Sequence, residues 1–359
     1  MSLESLGWNP AFARALNELN RPELVPARVV REDRDRYLIH GGGGPRPASL
    51  AGRLRHEASR RADLPAVGDW VAAHVNDAEP ASTAGIVSVL PRASAFIRRA
   101  AGEAEHEQVV AANVDTVFLV TGLDGDFNPR RIERYVAAAW ESGAVPVVVL
   151  TKSDLVDDLE ARLAEAEAVA PGVPVVAVAA AEGVGLEALE PWLLPAKTVA
   201  LLGSSGTGKS TLVNALLGES RQETTAVREN DSHGRHTTTR RELLALPGGA
   251  LLVDTPGMRT LGLWSDGEGL ADAFPDLESI AERCRFRDCA HAGEPGCAVA
   301  AALENGLLDP ERFASWRKLQ RELEHLAART DPRLAAERRA KWKAIHASMK
   351  HHPKSKRNR

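Results

Sequence analysis

The sequence predicts a multidomain α/β protein with an N-terminal OB-type β-barrel, a P-loop domain and a C-terminal helical metal-binding domain. Three observations predict this class. Short apolar runs broken by turn residues fill Val25 to about Arg99. From about Asp115 to Met258, strand-like and helix-like segments alternate, as in a mainly parallel sheet covered on both faces. After about Leu270 the pattern turns helical, and all three cysteines of the chain fall there in one short window. The expected boundaries are 1–24 for a lead-in, 25–108 for the barrel, 109–268 for the P-loop domain and 269–359 for the helical domain with its basic tail.

The lead-in, to about Asn20, is amphipathic. In the barrel, Ala27–Val30, Tyr37–His40, Trp70–His74 and Gly85–Leu90 are the expected strands, at the spacing of a small all-β unit. Gly41–Gly44 and Pro45-Arg46-Pro47 are expected to form a loop. Thr116–Val120, Val145–Leu150, Val173–Val178 and Val199–Leu202 are apolar, β-branched runs suited to buried parallel strands. Helices are expected over Pro129–Glu141, opened by Asn128 as cap, and over Asp157–Ala170, Leu186–Leu193 and Thr211–Leu217. Arg241–Leu246 and Ala250–Val253 flank Pro247-Gly248-Gly249 as a hairpin. Charged helices from Pro310 to about Met349 close the chain, with a basic tail over His351–Arg359.

Gly203, Ser204, Ser205, Gly206, Thr207, Gly208, Lys209 and Ser210 complete the G-x-x-x-x-G-K-[ST] phosphate loop between a strand and the helix that starts near Thr211. The glycines let backbone N–H groups turn inward around phosphates, and the helix N-terminus adds partial positive charge. Lys209 is expected to reach the β- and γ-phosphates and Ser210 to bind Mg²⁺. Asp254, in Asp254-Thr255-Pro256-Gly257 behind the strand Leu251–Val253, is placed to hold Mg²⁺, and Gly257 admits the backbone to the γ-phosphate. Thr151, Lys152, Ser153 and Asp154 follow a buried strand and match the N/T-K-x-D guanine signature. The Asp154 carboxylate can accept from N1–H and N2–H₂ of guanine, a donor pair adenine lacks, while the Lys152 stem lies along the base. Ala179 and Ala180, at the end of the next strand, offer backbone contacts to the guanine oxygen. The guanine motif precedes the phosphate loop, the reverse of the common order, so the P-loop GTPase domain is circularly permuted with its join near Pro191–Thr198.

The stretch Glu223–Arg240 suits a switch loop that orders on Mg²⁺ and γ-phosphate, with Thr238 as the Mg²⁺ ligand. Met258 stands where many small GTPases carry a water-orienting glutamine, which leaves His236 as the nearest catalytic candidate beside Lys209 and Thr238. Cys284, Cys289, His291 and Cys297 form C-x₄-C-x-H-x₅-C and supply the four ligands of one closed, structural zinc site.

A net charge of −4 and a pI of about 6.3 exclude a simple basic nucleic-acid binder. Arginines scattered through the barrel read equally as a solvated surface or as RNA contacts, and the acid-free tail after Lys350 is the expected phosphate contact. No apolar run approaches the ~18 residues of a membrane span, and no signal peptide opens the chain, so a cytoplasmic protein without membrane contact is expected.

The combination resembles the RsgA/YjeQ family of GTPases. The resemblance spans most of the chain and rests on Val67-Gly68-Asp69-Trp70-Val71, Thr151–Asp154, Gly203–Ser210, Gly234–Thr239, Asp254–Gly257 and the Cys284–Cys297 cluster, in that order. It implies binding to the small (30S) ribosomal subunit and its 16S rRNA, hydrolysis of GTP to GDP stimulated by that subunit, and a role in late subunit maturation; a monomer is expected. Two departures are Ala179, where relatives carry serine, and the Gly41–Pro47 insert. A nucleotide-gated RNA-binding placeholder with little turnover is the alternative that Met258 keeps open, and Asp154 argues against an ATP-using P-loop protein.

Overall fold

The computed structural model describes residues 1–33, 36–76, 79, 82–99, 107–125, 127–219, 241–254 and 268–330. The chain divides into two compact units, Met1–Gly262 and Leu263–Arg359.

The first unit opens with helix α1 (Pro10–Glu18). Asn9 caps it by accepting from the N–H groups of Ala11 (2.9 Å) and Phe12 (3.2 Å), and Pro10 supplies the preset first turn. The barrel comprises β1 (Val25–Asp33), β2 (Arg36–Gly41), β3 (Gly44–Leu50), the short α2 (Gly52–Glu57), β4 (Trp70–His74) and β5 (Ala84–Val89). The strands pair in the order β1-β2-β3-β5-β4, and β1 pairs with β4 to close the ring. Alternation sends Ala27, Val29, Tyr37, Ile39, Val71, Ala73 and Ile86 to the barrel core. On its other side Trp70, Ala72 and Leu90 meet Leu6 and Phe12 of the lead-in.

The Gly41–Pro47 insert corrects the sequence expectation. It is a hairpin, β2 into β3, turned at Gly42-Gly43. Pro45 and Pro47 are exposed and lie in the half of β3 that has β2 as its partner; pairing with β5 begins at Ala48. Proline is tolerated there because that half has an open side, where a missing N–H breaks no ladder.

A two-stranded ribbon, β6 (Ala95–Arg99) with β7 (Glu107–Ala112), leads on to β8 (Thr116–Gly122). Then follow α3 (Pro129–Ser142), β9 (Val145–Thr151), α4 (Leu159–Val169), β10 (Val175–Val178), β11 (Thr198–Leu202), α5 (Lys209–Leu217), β12 (Arg241–Ala245) and β13 (Leu251–Asp254). The short helix expected over Leu186–Leu193 is a 3₁₀ helix, Leu186–Trp192, with Pro191 inside it. Strands β10, β9, β8, β11 and β13 are parallel neighbours in that order, and β12 joins antiparallel. Phe118, Val120, Val147, Val149, Val199 and Leu201 share one core with Leu189 and with Leu212 and Val213 of α5. Val117, Leu119, Val148 and Leu150, equally buried, alternate to the opposite face.

The sheet does not stop at β12. It pairs with β1, Arg31 opposite Glu242 and Glu32 opposite Arg241, so barrel and parallel sheet form one eleven-stranded sheet. Two ion pairs flank this junction, Arg241 to Glu32 at 2.9 Å and Arg31 to Glu242 at 3.5 Å. Nearby, the fully buried Arg28 donates to Gly68 O (3.1 Å), Asn113 O (3.1 Å), Thr198 Oγ1 (2.9 Å) and Leu6 O. Gly68 has φ +92°, and a Cβ there would lie 2.1 Å from Ala112 O, so no side chain fits. The next residue, buried Asp69, accepts both arms of Arg92 at 2.8 and 2.7 Å.

In the second unit, α6 (Glu268–Ala273), α7 (Pro275–Ala281), α8 (Ala298–Glu304) and α9 (Pro310–Thr330) pack around Phe274, Leu277, Val299, Trp316 and Leu319. Arg312 clamps α9 to α7: it grips Asp276 at 2.7 and 2.6 Å and lies 4.5 Å from the centre of the Phe274 ring.

Replacing Arg28 by alanine removes the shared donor of four buried acceptors; Gly68 O keeps the Asn113 side-chain amide at 3.1 Å, while Leu6 O and Asn113 O lose their side-chain donor. The expected loss is about 3–5 kcal/mol for a broken buried charge network, read as a lower urea midpoint of the first unit. Arg28→Lys recovers less than half, because an ammonium cannot span the same carbonyls; a lysine variant as stable as the parent would refute this account.

Candidate nucleotide site and metal centre

The motif residues in the first unit gather at the carboxyl ends of the parallel strands. Val178 of β10 lies beside Thr151 of β9, Thr151 beside Gly122 of β8, and Leu119 of β8 beside Leu202 of β11. Gly203–Gly208 therefore begins at the same edge as Lys152–Asp154 and the Ala179-Ala180 turn, where open α/β sheets bind ligands.

The phosphate loop is shaped by close approaches. A Cβ at Gly203 would lie 2.3 Å from Val120 O, and Gly206 and Gly208 have φ of +83° and +85°. Gly208 opens α5, so Lys209, Ser210 and Thr211 occupy its first turn. Lys209 Nζ donates to Gly203 O at 2.8 Å and to Ser204 O. Its ammonium thus lies inside the loop curve, as a phosphate-reaching lysine requires.

The guanine-type motif is bonded to that loop. Thr151, 1% exposed, donates from Oγ1 to Thr207 O at 2.6 Å. Lys152 takes a left-handed conformation (φ +59°), and its Nζ donates to Gly206 O at 2.8 Å and pairs with Asp124. Ser153 and Asp154 sit in the following 3₁₀ turn, with Asp154 exposed. Ala179 and Ala180 are buried, and Ala179 N–H bonds to Val184 O at 3.0 Å to close a tight turn. Asp254 ends β13, and no other motif residue of that strand's loop is described. His236, Thr238 and Gly257 lie outside the described residues.

Three residues of this site carry no motif and were not anticipated from sequence. Arg131 Nη1 donates to Ser204 Oγ at 2.8 Å, Tyr135 OH lies 3.3 Å from the same oxygen, and Asp124 pairs with Lys152. Arg131 and Tyr135 are four apart on α3, so one helix face holds the loop from outside. The i, i+4 spacing was visible in sequence, but its target was not.

In the second unit, one ligand atom from each of Cys284, Cys289, His291 and Cys297 lies within 4.8 Å of all the others. A tetrahedron of ~2.3 Å zinc–sulfur bonds sets sulfurs about 3.8 Å apart, so the cluster fits a metal such as zinc. Backbone N–H groups of Ala298 and Ala300 donate to the sulfurs of Cys284 and Cys297, each at 3.3 Å, as thiolate ligands favour. The His291 ring packs 5.8 Å from Trp316 of α9, which ties the cluster to the helical core.

Known proteins resemble the chain along most of its length. The RsgA GTPase family model matches residues 89–264. The small ribosomal subunit biogenesis GTPase RsgA of Opitutus terrae is 53% identical over 357 residues, covering 98% of this chain and 97% of the relative. Its Streptomyces coelicolor counterpart is 44% identical over 346 residues, covering 95% and 92%. Among solved structures, YjeQ from Thermotoga maritima superposes with a TM-score of 0.63 at 28% identity, over 84% of this chain and 98% of that one. YloQ, a circularly permuted GTPase, superposes at 0.60 and 21% identity over 85% and 96%, which speaks to fold. With its guanine-type motif ahead of its phosphate loop and bonded to it, the chain belongs to the RsgA GTPase family.

Proposed function

We propose that this protein binds the small (30S) ribosomal subunit in its GTP state, hydrolyses GTP to GDP and phosphate there, and leaves during late subunit maturation. The observation that carries the reading is the splice of Thr151 and Lys152 onto the phosphate loop, since it joins base recognition to phosphate recognition. The relatives named as small ribosomal subunit biogenesis GTPases support the partner.

In this reading the loop N–H groups and Lys209 hold the phosphates, Asp154 reads the guanine edge, and the Ala179-Ala180 turn contacts the guanine oxygen. Water attacks the γ-phosphorus, the bond to the β–γ bridging oxygen breaks, and GDP carries that oxygen away. Mg²⁺, when bound, neutralises charge on the phosphate oxygens, and Ser210, Thr238 and Asp254 are its proposed ligands. His236 orients the water, because Met258 offers no hydrogen bond. The zinc is structural: four protein ligands leave no open position.

Residues 25–108 serve as an RNA-binding barrel, 109–268 as the GTPase and 269–359 as the zinc domain. The chain works as a cytoplasmic monomer against 16S rRNA. Among the described residues no helix is long and apolar enough to cross a membrane.

GTP turnover should rise at least tenfold with purified small subunits, and neither ATP nor large subunits should substitute. His236→Ala should lower the stimulated kcat with little change in KM; no stimulation of the parent would return the reading to a GTP-binding placeholder. Asp154→Asn should weaken GTP binding about a hundredfold and favour xanthosine nucleotides, since a lost charged bidentate contact is worth ~3 kcal/mol. Metal analysis should find one zinc per chain, and Cys297→Ser should release it and lower the unfolding temperature of the second unit; a metal-free parent of equal stability would dismiss the site.

A further inference from the structure

The loop between the first two metal ligands presents an aromatic ring to solvent. Phe286 is 45% exposed, and Arg283, Arg285 and Arg287 around it are all exposed. Scattered exposed apolar residues need no explanation, and Leu307, 80% exposed, is one of them. Phe286 differs in how it is held. The Arg285 guanidinium lies 5.4 Å from its ring centre, and Arg285 N–H bonds to Gly296 O at 3.1 Å. The Arg285 stem packs so closely on Gly296 that a Cβ there would come 3.0 Å from Arg285 Cβ. On the far side, Cys289 N–H bonds to Phe286 O at 3.3 Å. The backbone that carries the ring is therefore tied down on both sides, between two ligand cysteines.

We propose that Phe286 is a stacking platform for an unpaired RNA base, with Arg283, Arg285 and Arg287 contacting the flanking phosphates. Single-stranded nucleic acid is recognised by this pairing, an aromatic face for the base and guanidinium groups for the backbone. A protein-binding hot spot would instead want apolar neighbours to exclude water. The neighbours of Phe286 are Arg285, Arg287 and Asp288, all exposed. From Glu282 to Asp288 three arginines face two acids, and the carboxylate of nearby Glu294 accepts from the N–H groups of Ala290 (3.1 Å) and Ala292 (2.7 Å). Such a platform deepens the ribosomal reading above and rests on it for the biological source of the RNA, but the chemistry stands on the loop alone.

The test uses the full-length, zinc-loaded protein and fluorescent oligoadenylate of about a dozen nucleotides, with small-subunit co-sedimentation beside it. Phe286→Ala should weaken oligoadenylate binding about tenfold, as loss of one stacked base does. Phe286→Trp should retain it. Both variants should keep the parent's zinc content and its turnover of GTP without subunits. Arg285→Ala should lower the salt slope of binding by about one. The proposal is overturned if the parent binds no oligoadenylate, if Phe286→Ala binds as the parent does, or if affinity falls only together with zinc content and tryptophan does not restore it. A parent that binds oligoadenylate through Phe286 yet ignores small subunits would uphold the platform and remove the ribosomal partner.

Discussion

One buried cation, the Arg28 guanidinium, fixes how the first unit is assembled. Burial pulls its pKa down to about 10, while the carboxylates of Asp115 and Asp69 push the other way, so it stays charged at neutral pH. A charge taken out of water must be surrounded by acceptors. Here they come from the lead-in at Leu6, the turn at Gly68, the link at Asn113 and the opening residue of β11, Thr198. Each segment is held where the guanidinium needs it. Since β11 runs directly into Gly203, the barrel and the phosphate loop are referred to one fixed point.

From that point outward the same economy recurs. Gly68 admits the backbone of Ala112, Asp69 is gripped by Arg92, and Glu32, whose carboxyl burial pushes upward, is countered by Arg241. At the other end of the strands, the site is also assembled by side chains on carbonyls: Thr151 on Thr207, Lys152 on Gly206, Lys209 on Gly203. Threonine at the first position of the guanine motif is chemically adequate for that task, because a hydroxyl supplies the one donor the loop carbonyl accepts.

Much of this was legible in sequence where a signal is local. The apolar runs at Thr116–Val120, Val145–Leu150 and Val199–Leu202 appear as β8, β9 and β11, each lengthened at one end, because buried parallel strands are continuous in hydrophobicity. Asn128 and Pro129 announced α3, and the spacing of cysteines and histidine announced a cluster the fold closes. What was illegible is non-local or contrary to propensity. Strand β3 carries two prolines, and its identity depends on having one open side. Arg131 reaches Ser204, 73 positions away, and nothing in either residue's neighbourhood names the other.

The junction of β12 with β1 also changes what the barrel is. Removing a separately folded module ordinarily leaves the rest of a chain intact. Here removal would strip β12 of a backbone partner and turn an interior strand into an edge, with unpaired N–H and C=O groups open to any other extended chain. The barrel therefore also serves as a guard for the sheet beside it. Shortened forms of this protein that begin after the barrel would carry an adhesive border along β12.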